Sequence, residues 1–460
     1  MASGSENIKK DILLKYRQRN KNSKRHYDKA RQYLPGGDTR NVCFYHPFPT
    51  FMAEGRGCQI YDVDGNAYID FVNNYTALIH GHGHPAIVEA VNSQIPKGTI
   101  YGTPVECQYA FAEYLVNRIP SIDFIRFANS GTEATLFAMR AARCFTGKDV
   151  IIKMNGGYHG THDFAWVNVL HPDLQRRKIP QTLLEHGVPS SVAKDTLVAH
   201  FNDLDGLETL LKRHRDRIAG VILAPVLATN TIIAPEKGYL HGLRTLCDRY
   251  NVLLIFDEVI TLRLSCGGMQ EISGVEPDLT TLGKIIGGGF PIGAFGGKSE
   301  VMDQFHPEHP ENVLHSGTFN GNNMAMKAGL AAMTHYGEKD IQRIKMLGAR
   351  LAKGFNAAVK TLGLKSKAFH IGSLISFLWR DVAIRDARDA WRTIESTSIL
   401  NTYLHLAMLN RGIFIAPREF YSISTAMSEK EVDEAVAIFG EICEYLKPLV
   451  SDIHPELLAS

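Results

Sequence analysis

The sequence predicts an α/β fold: a mainly parallel sheet covered by helices on both faces, joined to a smaller α+β unit. Three observations predict it. Four apolar runs, FIRFAN (124–129), DVIIKM (149–154), AGVILAPV (219–226) and NVLLIFDEV (251–259), are nearly continuous, as strands buried on both faces must be. Amphipathic stretches at 132–145, 205–217 and 238–250 fit between them as helices. After about residue 330 the order changes to a helix (338–363), short strands, a long helix (384–411), a strand at 413–415 and a last helix (428–447).

Taken from the start, residues 8–34 read as one polar, basic helix, stopped by PGG at 35–37. It has no apolar signal core, and Asp11 and Asp28 make it a docking helix rather than a targeting segment. CQIYDVDGNAYIDFV (58–72) alternates apolar and polar residues around Asp64-Gly65, which predicts a hairpin. The segment 161–196, with Pro172, Pro180 and Pro189, is long enough to be a lid or a flexible connection. The resulting partition is an N-terminal helix and small-domain segment (1–74), a large domain (75–330) and a C-terminal part of the small domain (331–460).

Composition excludes several classes. The chain has 460 residues, 45% hydrophobic and 21% charged, with a net charge of +2, so no general attraction to nucleic acid or to an anionic membrane is expected. No apolar run is long enough to span a bilayer. The seven cysteines are scattered and form no CxxC pair, which predicts free thiols in a reducing, cytoplasmic compartment and no zinc site. HGHGHP (80–85) looks like a metal-binding run, but we assign it to structure and expect no metal.

In open parallel sheets ligands sit beyond the carboxyl ends of the strands, so the residues there carry the functional argument. After FIRFAN come Ser130, Gly131 and Thr132, opening a helix. Free N–H groups and the helix dipole would hold a phosphate there, although Ser130 or Thr132 could simply cap the helix. After DVIIKM, NGGYHG delivers Tyr158, a flat surface for stacking or an ordinary loop tyrosine. Asp257 ends an apolar strand, where a carboxylate is costly unless it meets a cation or serves a salt bridge or cap. Lys284, in TTLGKIIGGGFPIG, is an amine with no charged neighbour in sequence; desolvation favours its neutral, nucleophilic form. A phosphate, a flat ring, a ring nitrogen wanting an anion and an aldehyde wanting an amine together describe pyridoxal 5′-phosphate (PLP).

The stretches FANSGTEAT, GGYHG, LLIFDEVIT, PDLTTLGKIIGGGFPIGAFGG and HSGTFNGN closely resemble the class III aminotransferases, PLP enzymes of fold type I, and the resemblance runs from PGG at 35 to the last helix. It implies that Lys284 forms the Schiff base and moves the proton. Asp257 would pair with the pyridinium nitrogen, Val259 and Tyr158 would flank the ring, and Ser130, Gly131 and Thr132 would hold the phosphate. Thr318 matches a threonine that reaches the phosphate from the neighbouring subunit, which implies a homodimer with sites at the interface.

The nearest patterns are those of glutamate-1-semialdehyde aminomutases and β-amino-acid aminotransferases. A substrate carboxylate is best met by an arginine, and Arg40 and Arg418 match positions where the latter group carries substrate-binding arginines. The aminomutases show a pattern like APSxFEAxF near the C-terminus; this chain has Arg418 at their serine and Tyr421-Ser422 in place of Glu-Ala. The stretch GVPSSVAKDTL (187–197) points the other way, toward the aminomutase lid. Ala224 stands where the family usually has glutamate, so a polar contact is lost or replaced. Arg263 and Glu258 are expected to serve local ion pairing. The expected activity is transfer of an amino group from an amino acid, β-amino acids favoured, to a keto acid through the aminated cofactor. An aminomutase-like isomerase is the alternative, and a PLP-binding protein without turnover a third reading.

Overall fold

The computed structural model describes residues 4–229 and 231–459. Its central sheet has seven strands in the spatial order Phe124–Ala128, Gly293–Gly297, Leu279–Gly283, Leu253–Asp257, Ile218–Leu223, Val150–Met154 and Thr196–Ala199. Only Gly293–Gly297 runs against its neighbours. The four predicted strands are present and parallel. LTTLG, TLVA and GAFGG escaped the sequence reading because short strands rich in threonine, alanine and glycine lack the β-branched apolar run that signals a strand. Gly293 is required by close approach: a Cβ there would lie 2.0 Å from the Ser130 carbonyl oxygen.

Helices cover both faces. Gly131–Thr146 buries Ala134, Ala138, Ala141 and Ala142, small side chains that let it lie close on the sheet. Leu204–Arg213 buries Leu207, Leu210 and Leu211, the i, i+3, i+4 stripe of an amphipathic helix. Each fully buried leucine contributes roughly 1.5–3 kcal/mol.

The chain ends meet. The hairpin Gln59–Asp62 and Ala67–Asp70 forms as predicted, and the late strand Ile413–Phe414 pairs with it in parallel, Ile413 opposite Ile69. Helix Gly4–Arg19 packs against helices Ser398–Asn410 and Glu429–Ile453, which is the docking role expected of it. The single helix expected over 8–34 is two, Gly4–Arg19 and Lys21–Ala30. Asn20 leaves helical geometry (φ −119°, ψ 44°), and the bend brings Ser23 onto Asp64 at the hairpin turn, with Ser23 N and Oγ each 2.8 Å from Asp64 Oδ2. The helix expected over 384–411 likewise breaks at Thr397 into Ala387–Ser396 and Ser398–Asn410. The run Ser396-Thr397-Ser398 supplies hydroxyls that compete for backbone groups, and Thr397 Oγ1 donates to the Thr393 carbonyl at 2.9 Å.

The segment 161–196 is not an open lid. Asn168 Nδ2 donates to Asn155 Oδ1 (3.0 Å), and Glu185 Oε1 accepts the N–H groups of Val169, Leu170 and His171 at 2.7–3.0 Å. Val167 and Val192 pack under it with Val198. The length suggested mobility; buried side chains that satisfy its backbone pin it down.

Candidate active site

The carboxyl ends of the central strands border a cavity of about 410 Å³. Ser130, Gly131, Thr132, Tyr158, Asp257, Val259 and Lys284 all line it, so seven of the residues singled out in the sequence converge. Helix Gly131–Thr146 opens on it with Ser130 as N-cap, whose Oγ accepts the Glu133 N–H at 3.2 Å. The capping reading of Ser130 therefore holds, and Gly131 and Thr132, whose N–H groups have no intrahelical partner, line the cavity.

Tyr158 arrives on the loop GGYHG. Gly160 (φ +93°) lets that loop lie on the helix start; a Cβ there would come within 2.6 Å of Thr132 Cα. Tyr158 is 45% exposed and meets Trp166 edge-on at 6.1 Å. Val259, also on the cavity wall, occupies the space left by Gly131 and Gly283, whose notional Cβ atoms would lie 3.4 and 3.3 Å from its methyl groups.

Asp257 is buried and accepts three hydrogen bonds. Its Oδ1 accepts Thr281 Oγ1 (3.0 Å) and the Val259 N–H (3.2 Å), and its Oδ2 accepts His159 Nδ1 at 2.7 Å. Burial pushes the His159 pKa down despite the opposing pull of Asp257, so the ring is a neutral donor to the carboxylate. Lys284 stands at φ +50°, a left-handed conformation rare outside glycine, at the end of strand Leu279–Gly283. Burial first, then the positive charge of Arg418, lower its pKa to about 7, while Asp257 opposes them. The amine is thus available in neutral form near neutral pH.

Arg418 is half-buried, lines neither the Lys284 cavity nor the larger one bordered by Arg40, and has no hydrogen bond or ion pair to any described residue. Its Nε lacks a partner, and it lies over the Tyr75 ring at 5.4 Å and the Phe420 ring at 5.9 Å. Burial lowers its pKa. Arg40 is exposed and lines a second, larger cavity of about 590 Å³; its NH1 donates to Asn74 Oδ1 at 2.9 Å, and Asn74 borders both cavities. Thr318 is exposed on its own chain, outside the Lys284 cavity. Ala224 puts a methyl group on the cavity wall, leaving Asp257 as the only carboxylate among the described lining residues.

Two expectations are corrected. Glu258 and Arg263 form no ion pair: Glu258 accepts the N–H groups of Met269 and Gln270, each at 3.0 Å, and burial raises its pKa. Arg263 donates instead to Ser373 Oγ (2.9 Å) and to the carbonyls of Thr76 and Ile423. The two side chains find separate partners, which sequence proximity does not show. In HGHGHP, His80 bonds the Ala332 carbonyl and Thr425, and His82 bonds Asp70, each at 2.8 Å, while His84 Nδ1 is buried without a partner among the described residues. No metal-holding cluster occurs among the described residues.

The sequence reading missed Lys153, a second buried lysine with a pKa lowered to about 7 by burial, against the pull of Glu185. It donates to the carbonyls of Gly157 (2.8 Å) and Val167, tying down the loop that carries Tyr158 and His159, and does not line the cavity. The signal was present: one charge in the all-buried strand VIIKM. It also missed the turn Asn73–Thr76, four consecutive non-glycine residues at φ +48°, +48°, +54° and +76°. Such residues cost roughly 1–2 kcal/mol each. Asp70 Oδ1 holds the turn by accepting the Val72 and Asn73 N–H groups, both at 2.9 Å, and Asn73 Nδ2 donates to the Ser422 carbonyl at 2.8 Å.

A buried carboxylate, a desolvated amine, a helix N-terminus and the side chains of Tyr158 and Val259 on one cavity fit PLP. Comparison with known proteins agrees. The family model for class-III aminotransferases matches residues 44–385. A glutamate-1-semialdehyde 2,1-aminomutase from Syntrophobacter fumaroxidans is 40% identical over 430 residues, covering 92% of this chain and 97% of that protein. An omega-transaminase structure from Sphaerobacter thermophilus is also 40% identical, with a TM-score of 0.88 over 92% of this chain and 98% of that one. A β-phenylalanine aminotransferase structure from Variovorax paradoxus is 32% identical, with a TM-score of 0.85 over 96% and 98%. The chain belongs to the class-III aminotransferases, PLP-dependent enzymes of fold type I.

Proposed function

We propose that this enzyme moves the amino group of a carboxylate-bearing amino substrate, β-amino acids favoured, to a keto acid. The observation that carries the reading is Arg418: a half-buried guanidinium without an anionic partner among the described residues, whose charge lowers the Lys284 pKa. An unpaired, partly desolvated cation is stabilised when a substrate carboxylate arrives. Arg40, on the far side of Asn74, offers a second anchor for the other reactant. The β-phenylalanine aminotransferase supports the β-amino-acid reading.

When bound, PLP supplies the electron sink and carries the amino group between substrates. Gly131 and Thr132, with Ser130 fixing the helix start, would hold its phosphate. Asp257 would pair with its ring nitrogen, and Tyr158 and Val259 would flank the ring. Lys284 would hold the aldehyde of PLP and, as a neutral amine, would serve as the base that takes up the proton beside the substrate nitrogen and gives it back. Thr318 would complete the phosphate site of a partner subunit in a homodimer. Leu314 and Phe319 beside it, 78% and 61% exposed, support burial of that segment between subunits. No helix among the described residues is long and apolar enough to cross a membrane; free cysteines support a cytoplasmic enzyme.

The second reading is an isomerase that moves the amine within one molecule. The names of the curated relatives, 35–40% identical, weigh toward it and against the β-amino-acid transaminase. The test is a panel of α-, β- and ω-amino acids and simple amines, with and without an added keto acid. Turnover that needs the keto acid supports transfer. Conversion of glutamate 1-semialdehyde with no keto acid present establishes the isomerase instead.

A further inference from the structure

Tyr75 sits at the third position of the left-handed turn Asn73–Thr76, and the turn grips both candidate arginines. Asn74 accepts Arg40 NH1, and the Tyr75 ring lies under Arg418 at 5.4 Å. The Tyr75 hydroxyl donates to the Val42 carbonyl at 2.5 Å, two residues from Arg40. The way the ring holds Arg418 matters. A guanidinium held by an aromatic face is stabilised through the ring quadrupole and keeps its N–H edge free. A carboxylate in the same place would consume that edge in a bidentate pair. Phe420 adds a second ring at 5.9 Å, and no acidic side chain pairs with Arg418 among the described residues. The next residue, Glu419, could have been its partner; instead it is left-handed (φ +55°), and its carboxyl lies in the core, where Oε2 accepts the Tyr421 hydroxyl at 2.9 Å.

We propose that Tyr75 is a positioning residue for substrate recognition: it holds Arg418 as a caged but unneutralised cation whose N–H groups are reserved for a carboxylate. The strained turn is the device that presents the ring. This rests on the reading of Arg418 as the carboxylate anchor, and the test separates the two.

The holoenzyme is assayed with a β-amino acid, 3-aminobutanoate, and with its uncharged amide, 3-aminobutanamide; inhibition by butanoate gives a second measure. In Tyr75→Leu, KM for the carboxylate and the butanoate inhibition constant should rise at least tenfold. kcat, the amide kinetics and the cofactor absorbance should stay within about twofold, and Tyr75→Trp should keep the preference. Phenylalanines of increasing fluorination at position 75 keep the shape and drain the ring quadrupole; the preference should fall stepwise with fluorine number, which keeps the idea testable if the leucine variant does not fold. A preference that is unchanged in Tyr75→Leu or flat across the fluorine series overturns the role of Tyr75, as does equal loss for both substrates. Arg418→Leu decides the underlying reading: if it retains the carboxylate preference, Arg418 is not the anchor. If it alone loses the preference, the anchor stands and only Tyr75 is excluded.

Discussion

His159 Nδ1 donates to Asp257 Oδ2 at 2.7 Å, while its Nε2 is buried without a partner. The ring exists in this fold to orient a carboxylate that has two further donors, Thr281 and Val259, on its other oxygen. His159→Ala should therefore leave Asp257 present but misdirected. A hydrogen bond to a charged group is worth roughly 1.5–3 kcal/mol, so the PLP dissociation constant should rise about ten- to hundredfold. Fluorescence titration of the apoenzyme checks this; unchanged affinity would remove His159 from the site.

Lys284→Ala should abolish turnover and the absorbance of the lysine-bound cofactor. Retained transamination would refute the assignment of the reacting amine.

Lys153 makes stability depend on pH. Its pKa is near 7 when folded and returns to the ordinary lysine range on unfolding, so between pH 7 and 9 the unfolded chain binds more protons. Stability of the wild-type apoenzyme should therefore rise with pH relative to Lys153→Met, by up to about 1.4 kcal/mol per pH unit. Urea unfolding at pH 7, 8 and 9 measures this, and parallel curves for the two proteins would show that Lys153 keeps a normal pKa.

Glu419 gives the opposite sign. Burial raises its pKa well above normal, with the Tyr421 hydroxyl only partly offsetting this, so the folded state holds a proton that the unfolded chain has released. The wild type should lose stability relative to Glu419→Gln as pH rises from 5 to 7, by up to about 1.4 kcal/mol per unit. A wild-type protein that gains on the glutamine variant over that range would mean the carboxyl is ionised in the fold.

Gly283→Ala would place a Cβ 3.3 Å from a Val259 methyl group, in extended backbone that tolerates any residue. Crowding of this kind costs about 1 kcal/mol or more, so PLP affinity should fall roughly fivefold. Adding Val259→Ala should restore it. No recovery in the double variant would place the effect elsewhere.

The sequence by itself determined the parallel strands and the residues at their ends. Continuous apolar runs have one low-energy use, burial on both faces, and a polar or basic group at the end of such a run is conspicuous. That logic found Ser130, Tyr158, Asp257 and Lys284, and the same logic applied within the strand VIIKM would have found Lys153. What depends on chain segments far apart in sequence needed the tertiary structure. His159 was hidden because its partner Asp257 is 98 residues away. The break at Asn20 was hidden because the contact that exploits it, Ser23 on Asp64, joins another segment. The left-handed turn at Asn73–Thr76 contains no glycine to announce it; Asp70 and Ser422 enforce it, and its outcome, two arginines held by neighbouring residues, exists only once residues 40, 75 and 418 are folded together. Local sequence fixes what each segment can do alone, and strain that the surrounding contacts must hold in place is by nature a property of the whole fold.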